Sequence, residues 1–116
     1  MENIYKRVKE RFEAAKKDRG FMGEIQTLLK GLKRVFQVRI TDQGSFYFVV
    51  KNGDIELERG EAKSPNATIE LSSETFEAME KNETDPMGAF LAGNIAVRGD
   101  IGELLRFVPL IEKLKG

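Results

Sequence analysis

Carboxylates are the side chains in this sequence whose spacing comes nearest to a catalytic arrangement. Asp85, Asp100 and Glu103 flank a short apolar segment and could act as a general acid and base. The chain has no histidine and no cysteine, which excludes imidazole bases, thiolate nucleophiles and the usual zinc ligands. Asp100 and Glu103 also have the spacing of a capping box, and Thr84 or Asp85 can be the N-cap of a helix that begins at Pro86. We therefore expect helix caps here, with no catalytic or metal site, so that the protein is not an enzyme.

Phosphate loops and nucleic-acid surfaces are both disfavoured. Gly93, Gly99 and Gly102 match neither the dinucleotide-binding nor the nucleoside-triphosphate spacing, so we expect structural roles for these glycines and no cofactor. The strand region is net acidic, and its aromatic residues Phe46 and Phe48 are expected to face inward, unlike those of a nucleic-acid-binding sheet. We expect no nucleic-acid partner.

Charge is distributed unevenly along the 116 residues. Residues 1–34 carry ten lysines and arginines against five acidic residues, whereas residues 35–116 carry nine against fourteen. The basic N-terminal part either contacts an anionic membrane peripherally or forms an ordinary solvated helix surface. The first residues contain no apolar signal core, and no apolar stretch is long enough to span a membrane, so we expect a cytoplasmic location.

Apolar residues at helical spacing predict a helical hairpin over residues 1–32. Ile4, Val8 and Phe12 lie on one face of a first helix, which is expected to stop at residues 18–20. A second helix is expected over residues 22–32. We expect one domain over residues 1–116, in which residues 33–116 form a sheet and the helices that cover it.

A period of two after residue 33 predicts strands. Asn52-Gly53 is a two-residue hairpin turn, and counting from it pairs Val50 with Ile55 and Phe48 with Leu57 on one apolar face. Gln37 and Arg39 fall on the opposite face of the first strand. The same alternation adds to the apolar face Phe36, Val38, Ile40, Phe46, Ala67, Ile69 and Leu71.

Helices return in the second half of the chain. Ser72 or Ser73 can cap one helix, and residues 85–100 predict a short helix, a turn at Gly93, a strand and the start of a last helix. The last helix is expected over residues 100–114, with a kink at Pro109. Pro109 either separates two short helices that meet at a corner, or bends one apolar helix so that an opening remains beneath it. The periodicity alone leaves both alternatives open.

Three segments together resemble a sterol carrier protein type 2 domain. They are FYFVVKNG at residues 46–53, NATIELS at residues 66–72 and DPMGAFLAGNIAVRGD at residues 85–100. The resemblance runs from Leu32 onward and implies an α+β fold, in which helices pack on one face of a five-stranded, mostly antiparallel sheet and enclose an apolar tunnel. It implies a carrier that binds and transfers a fatty acid, fatty acyl-CoA, isoprenoid or sterol-like lipid without transforming it.

The resemblance also implies that the tunnel is lined by the inward faces of the sheet and the later helices. The predicted lining residues are Phe36, Phe48, Leu57, Ile69, Phe76, Met79, Phe90, Leu91, Leu104, Phe107, Val108 and Ile111. Two alternatives stay open: a non-catalytic accessory domain that presents acyl chains to a partner enzyme, and an enzyme that works with carboxylates or hydroxyls alone. Neither the lipid nor the oligomeric state follows from the sequence.

Overall fold

The computed structural model describes residues 3–28, 31 and 33–105. A last helix, α5, begins at Ile101 after the capping residue Asp100, and its described part reaches Leu105. The preceding elements, in chain order, are α1 (Ile4–Lys16), α2 (Arg19–Leu28), β1 (Lys33–Ile40), β2 (Gly44–Lys51), β3 (Asp54–Arg59), β4 (Ala67–Leu71), α3 (Ser73–Glu80), α4 (Pro86–Leu91) and β5 (Ile95–Gly99).

The five strands form one sheet in the order β3-β2-β1-β4-β5. Strands β1 and β4 are parallel, and the other three neighbouring pairs are antiparallel. The β2–β3 hairpin has the predicted register, with Val50 opposite Ile55. Asn52 and Gly53 both have positive φ, 54° and 77°, as a type I′ turn requires. The predicted α+β fold with a mostly antiparallel five-stranded sheet is confirmed.

Aromatic rings fill the interior between α1 and the β1–β3 half of the sheet. Helix α1 buries Ile4, Val8 and Phe12. The ring of Phe12 lies 5.8 Å from that of Phe48, measured between centroids, and Phe46 and Phe48 meet edge to face at 6.0 Å. Packing of this kind fills the space between α1 and these strands.

Helix α2 begins three residues earlier than predicted. Asp18, expected to lie in the stop signal of α1, is instead the residue that caps α2: its Oδ1 accepts the backbone N–H of Phe21 at 3.1 Å. This start puts Phe21 and Ile25 in the core. Gly31 has a φ of 75°, outside the helical region, while the predicted end of the helix at Leu32 lies outside the described residues.

The connection from β3 to β4 crosses the outer face of the sheet and buries Gln37. The amide nitrogen of Gln37 donates to the carbonyl oxygens of Phe46 at 2.9 Å and Gly60 at 3.0 Å, and its Oε1 accepts the N–H of Ala62 at 2.7 Å. Gln37 is therefore only 1% exposed, although it lies on the polar face of β1. This side chain ties the crossover to the sheet.

The carboxylate of Glu61, in the same connection, is hydrogen-bonded to side chains of β1 and β2. Glu61 accepts hydrogen bonds from Arg39 Nε at 3.1 Å and from Ser45 Oγ at 3.0 Å. The hydrogen bond from Arg39 lowers the pKa of the Glu61 carboxyl, so this contact stabilises the fold above the carboxyl's ordinary pKa and is lost as the pH falls through the lowered value. Both groups are largely solvated, which keeps the contribution small.

Hydrogen bonds of the backbone and side chain of Asn66 join β1, β4 and the start of α5. Its N–H donates to the carbonyl of Val35, and its Oδ1 accepts the N–H of Val35, both at 2.8 Å. Its carbonyl accepts the N–H of Asp100 at 2.9 Å. Gly99 has a φ of 87°, and a Cβ there would overlap the Asn66 carbonyl. Only glycine fits where the chain turns from β5 into α5.

The predicted capping box at the start of α5 forms only in part. Asp100 Oδ1 accepts the N–H of Glu103 at 3.1 Å, as an N-cap should. The reciprocal bond is absent among the described contacts, because the N–H of Asp100 is taken by Asn66 and the Glu103 carboxylate lies 3.7 Å from Arg34 Nε. Glu103 thus links α5 to the start of β1.

Substitution of Gly99 tests the close approach at this junction. We expect Gly99→Ala to lower the free energy of unfolding by about 3 kcal/mol, from the unfavourable φ and the overlap with Asn66. Gly102→Ala is the matched control, because its Cβ meets nothing closer than 3.5 Å; in a helix it should change stability by at most about 1 kcal/mol, in the stabilising direction. Equal effects in urea unfolding would contradict this account of the junction.

Substitution of Gln37 tests the crossover. Gln37→Leu leaves the N–H of Ala62 and the carbonyl of Gly60 without their partner, so we expect a loss of about 2–4 kcal/mol of stability. The exposed Gln26 in α2 provides the control, and Gln26→Leu should stay within about 0.5 kcal/mol of the wild type. Thermal unfolding of both variants is the measurement, and a Gln37→Leu protein as stable as the control would show that the contact contributes nothing.

Candidate functional site

A very short helix covers the β4–β5 half of the sheet. Asp85 caps α4 by accepting the N–H of Gly88 on its Oδ1 at 2.6 Å, and Pro86 occupies the first helical position. Gly93, with a φ of 80°, follows the helix and lets the chain turn into β5. These features agree with the predicted helix, turn and strand, and they place a helix of six residues over this part of the sheet.

A cavity of about 420 Å³ lies between α4, the start of α5 and the inner face of β4 and β5. Ile69 of β4 and Val97 of β5 are opposite each other in the sheet and form part of its floor. Its volume falls within the range of about 300–1,000 Å³ that small-molecule sites occupy. The lining residues are Ile69, Asp85, Pro86, Met87, Phe90, Ile95, Val97, Ile101, Leu104 and Leu105.

The lining is apolar apart from one carboxylate. Asp85 is the single charged residue among the described lining residues, and its carboxylate already caps α4. In the part of the chain that the structure describes, no group of three histidine, cysteine or acidic residues could hold a metal ion. Burial of an apolar ligand is therefore the interaction that this cavity supports.

Large apolar side chains are also exposed around the cavity. Met87, Leu91, Ile101 and Leu105, which we name the apolar collar, are 54%, 80%, 47% and 52% exposed. Phe90 beside them is 40% exposed. Clustered exposure of this kind is typical of a surface that contacts another molecule or a membrane. The collar and the cavity share Met87, Ile101 and Leu105.

The predicted lining residues fall into four groups. Three line the cavity, namely Ile69, Phe90 and Leu104. Five lie in or against the packed core, namely Phe36, Phe48, Leu57, Phe76 and Met79. Leu91 is exposed on the collar and does not line the cavity. Phe107, Val108 and Ile111 lie outside the described residues, and contact of any of these residues with a ligand stays a prediction.

Sequence reasoning missed much of the wall that β5 and α5 provide. Ile95 and Val97 alternate along the predicted strand, but their position in the cavity depends on β5 pairing with β4, opposite Leu71 and Ile69. The sequence contains no local signal for that neighbour. Ile101 and Leu105 carry a visible signal, since both belong to the apolar pattern of the last helix.

In the residues described, no helix is both long and apolar enough to cross a membrane. No curated protein matches the sequence.

Solved structures with the same fold include carriers and parts of larger proteins. Palmitated SCP2L2 from Aedes aegypti is 21% identical, with a TM-score of 0.65, and the match covers 90% of this chain and 91% of that one. The ubiquinone synthesis protein UbiJ-SCP2 is 18% identical, with a TM-score of 0.58 and coverage of 78% and 77%. At these identities the similarity shows the fold.

A third match is to part of an enzyme. The sec-alkylsulfatase Pisa1 from Pseudomonas sp. is 18% identical, with a TM-score of 0.61. The match covers 73% of this chain but only 14% of the sulfatase, so the chain corresponds to a small part of that protein.

The sequence itself matches one family model over most of its length. The match spans residues 12–112, from the middle of α1 through the last described residues and beyond. This agrees with the resemblance carried by the hairpin, the NATIELS segment and residues 85–100. The chain belongs to the SCP-2 sterol transfer family.

Proposed function

We propose that this domain binds the apolar chain of a lipid in the cavity between β4, β5, α4 and α5 and transfers it to a membrane or a partner. Membership in the family supports binding and transfer of a lipid or sterol in general terms. The observation that carries the proposal is the lining, which offers nine apolar side chains and one carboxylate that already caps a helix. Such a surface contributes to binding through the hydrophobic effect.

Burial of an acyl chain gives enough free energy for useful affinity. A sixteen-carbon chain at about 0.8 kcal/mol per methylene yields roughly 12 kcal/mol before losses. Loss of translational and chain freedom removes several kcal/mol, which leaves binding between about micromolar and nanomolar. A fatty acid, a fatty acyl-CoA, an isoprenoid and a sterol-like lipid are all candidates. The enclosed tunnel, with contacts from Phe107, Val108 and Ile111, is part of this proposal.

Binding without catalysis fits the roles of the nearby carboxylates. Asp85 caps α4, Asp100 caps α5, and Glu103 lies beside Arg34. Each of these three carboxylates thus has a structural role. We propose a carrier and not an enzyme, and we keep the cytoplasm as its predicted location.

The similarity to part of an alkylsulfatase favours a second candidate function. A domain of this fold forms a small part of that enzyme's chain, and UbiJ-SCP2 is a ubiquinone synthesis protein. This chain could serve in the same way as an accessory domain that presents an apolar chain to a partner enzyme. Co-purification of an enzyme whose activity depends on the domain would favour this function over free transfer.

Substitutions on the two faces of β5 test whether the cavity holds the ligand. Val97 lines the cavity, whereas Ala96 lies on the opposite face of the same strand and is exposed. Val97→Trp fills space that several methylenes would occupy, so we expect the affinity for a fluorescent fatty acid to fall at least about tenfold. Ala96→Trp adds the same side chain outside the cavity and should bind as the wild type does.

Titration of the wild type and both variants, with thermal unfolding as a check on folding, gives the result. If both variants bind like the wild type, the ligand lies elsewhere. If the wild type takes up no lipid saturably, the proposed function is wrong. Native mass spectrometry of the purified protein would identify the class of any lipid that it carries.

A further inference from the structure

We propose that the apolar collar docks on the surface of an uncharged lipid bilayer, so that a lipid passes between the bilayer and the cavity without crossing water. This proposal rests on the proposed function, since it takes the cavity to be the lipid site. It goes beyond that function by naming the surface that meets the membrane. Docking through the basic N-terminal helices is the competing prediction that the test distinguishes from it.

The apolar collar is continuous with the lining of the cavity. Met87, Ile101 and Leu105 each line the cavity and are also about half exposed, so one apolar surface runs from the interior to the outside. Leu91, at 80%, is the most exposed of the group and lies outside the lining. When this surface lies against a bilayer, a lipid that moves from the bilayer into the cavity keeps its chain in apolar surroundings along the whole path.

The four collar residues form two pairs, one on each helix. Met87 and Leu91 are four residues apart on α4, and Ile101 and Leu105 are four residues apart on α5. Residues at this spacing lie on the same side of a helix, so each helix contributes one pair to the collar. Two neighbouring apolar pairs suit shallow insertion into the headgroup and acyl boundary, where Leu and Phe side chains are favoured.

The charges near the collar favour an uncharged bilayer over an anionic one. Among the described residues, Glu83, Asp85 and Asp100 are exposed next to the two helices, and an exposed cation, Arg98, lies on the outer face of β5. A net acidic rim gains nothing from anionic lipid. The collar also lacks the tryptophan, tyrosine and arginine residues that commonly anchor a protein partner.

Several basic residues of α1 are engaged within the protein. Arg7 and Arg11 lie 2.9 Å and 2.5 Å from the carboxylate of Glu80, and Lys16 lies 3.2 Å from Glu56. These pairs neutralise part of the positive charge that the sequence places at the N-terminus. Docking through α1 would therefore rely on its remaining exposed lysines.

The test measures binding to vesicles with a charge introduced at one of two exposed positions. Leu91→Glu puts a carboxylate into the collar without touching the cavity, and Ala14→Glu puts the same group on the exposed side of α1. We expect the wild type and Ala14→Glu to bind phosphatidylcholine vesicles at both low and high salt. We expect Leu91→Glu to bind them about tenfold less, while it takes up a fluorescent fatty acid as the wild type does.

Other outcomes would overturn the proposal. Binding that requires phosphatidylserine, disappears at high salt and is weakened by Ala14→Glu would identify α1 as the docking surface. If the wild type takes up fatty acid but binds no vesicle, the docking proposal is wrong and the proposed function is unaffected. Self-association that Leu91→Glu abolishes, seen by analytical ultracentrifugation, would show that the collar contacts a second copy. Absence of fatty acid uptake would refute the proposed function as well.

Discussion

An apolar sheet face must be covered along its whole width, and this fold covers its two halves with helices of very different length. Helix α1 has 13 residues and packs aromatic rings onto the β1–β3 half. Helix α4 has six residues, or about 9 Å of axis, above strands of five residues each, or about 17 Å. Among the described residues, α4 and residues 101–105 of α5 leave a cavity above β4 and β5.

Backbone hydrogen bonds and one ion pair hold the wall that the start of α5 contributes. Asn66 ties the start of β4 to Val35 and receives the N–H of Asp100, while Gly99 allows the close approach. The ion pair between Glu103 and Arg34 holds the first turn of α5 to β1 from another side. Contacts within the protein thus hold the described start of α5 to β1 and β4, which favours a largely preformed site.

Local signals in the sequence predicted the elements well. The Asn52-Gly53 turn determines its hairpin register, and Asp85 caps α4, because such signals act over a few residues. Contacts between distant segments could not be predicted in this way. Gln37 is buried by a crossover more than twenty residues away, and Glu103 leaves its capping box for Arg34.

The candidate site shows the same division. Alternation placed Phe48 and Ile69 correctly on the inward face, yet Phe48 lies in the filled half and Ile69 lines the cavity. The difference between them is the length of the helix above each strand and the identity of the neighbouring strand. The periodicity of apolar residues contains no information on the covering helix or on the neighbouring strand. It therefore predicts which residues face inward but does not distinguish core residues from cavity residues.

Whether an acyl chain binds in the cavity above β4 and β5 can be measured directly by NMR, from contacts between ¹³C-labelled palmitate and the methyl groups of the protein. The account predicts nuclear Overhauser effects from the acyl chain to Ile69, Val97 and Leu104, which line the cavity. It predicts none to Val50 and Ile55, which are buried in the filled half of the sheet. Saturable binding with contacts to Val50 and Ile55, or with none to Ile69 and Val97, would contradict it.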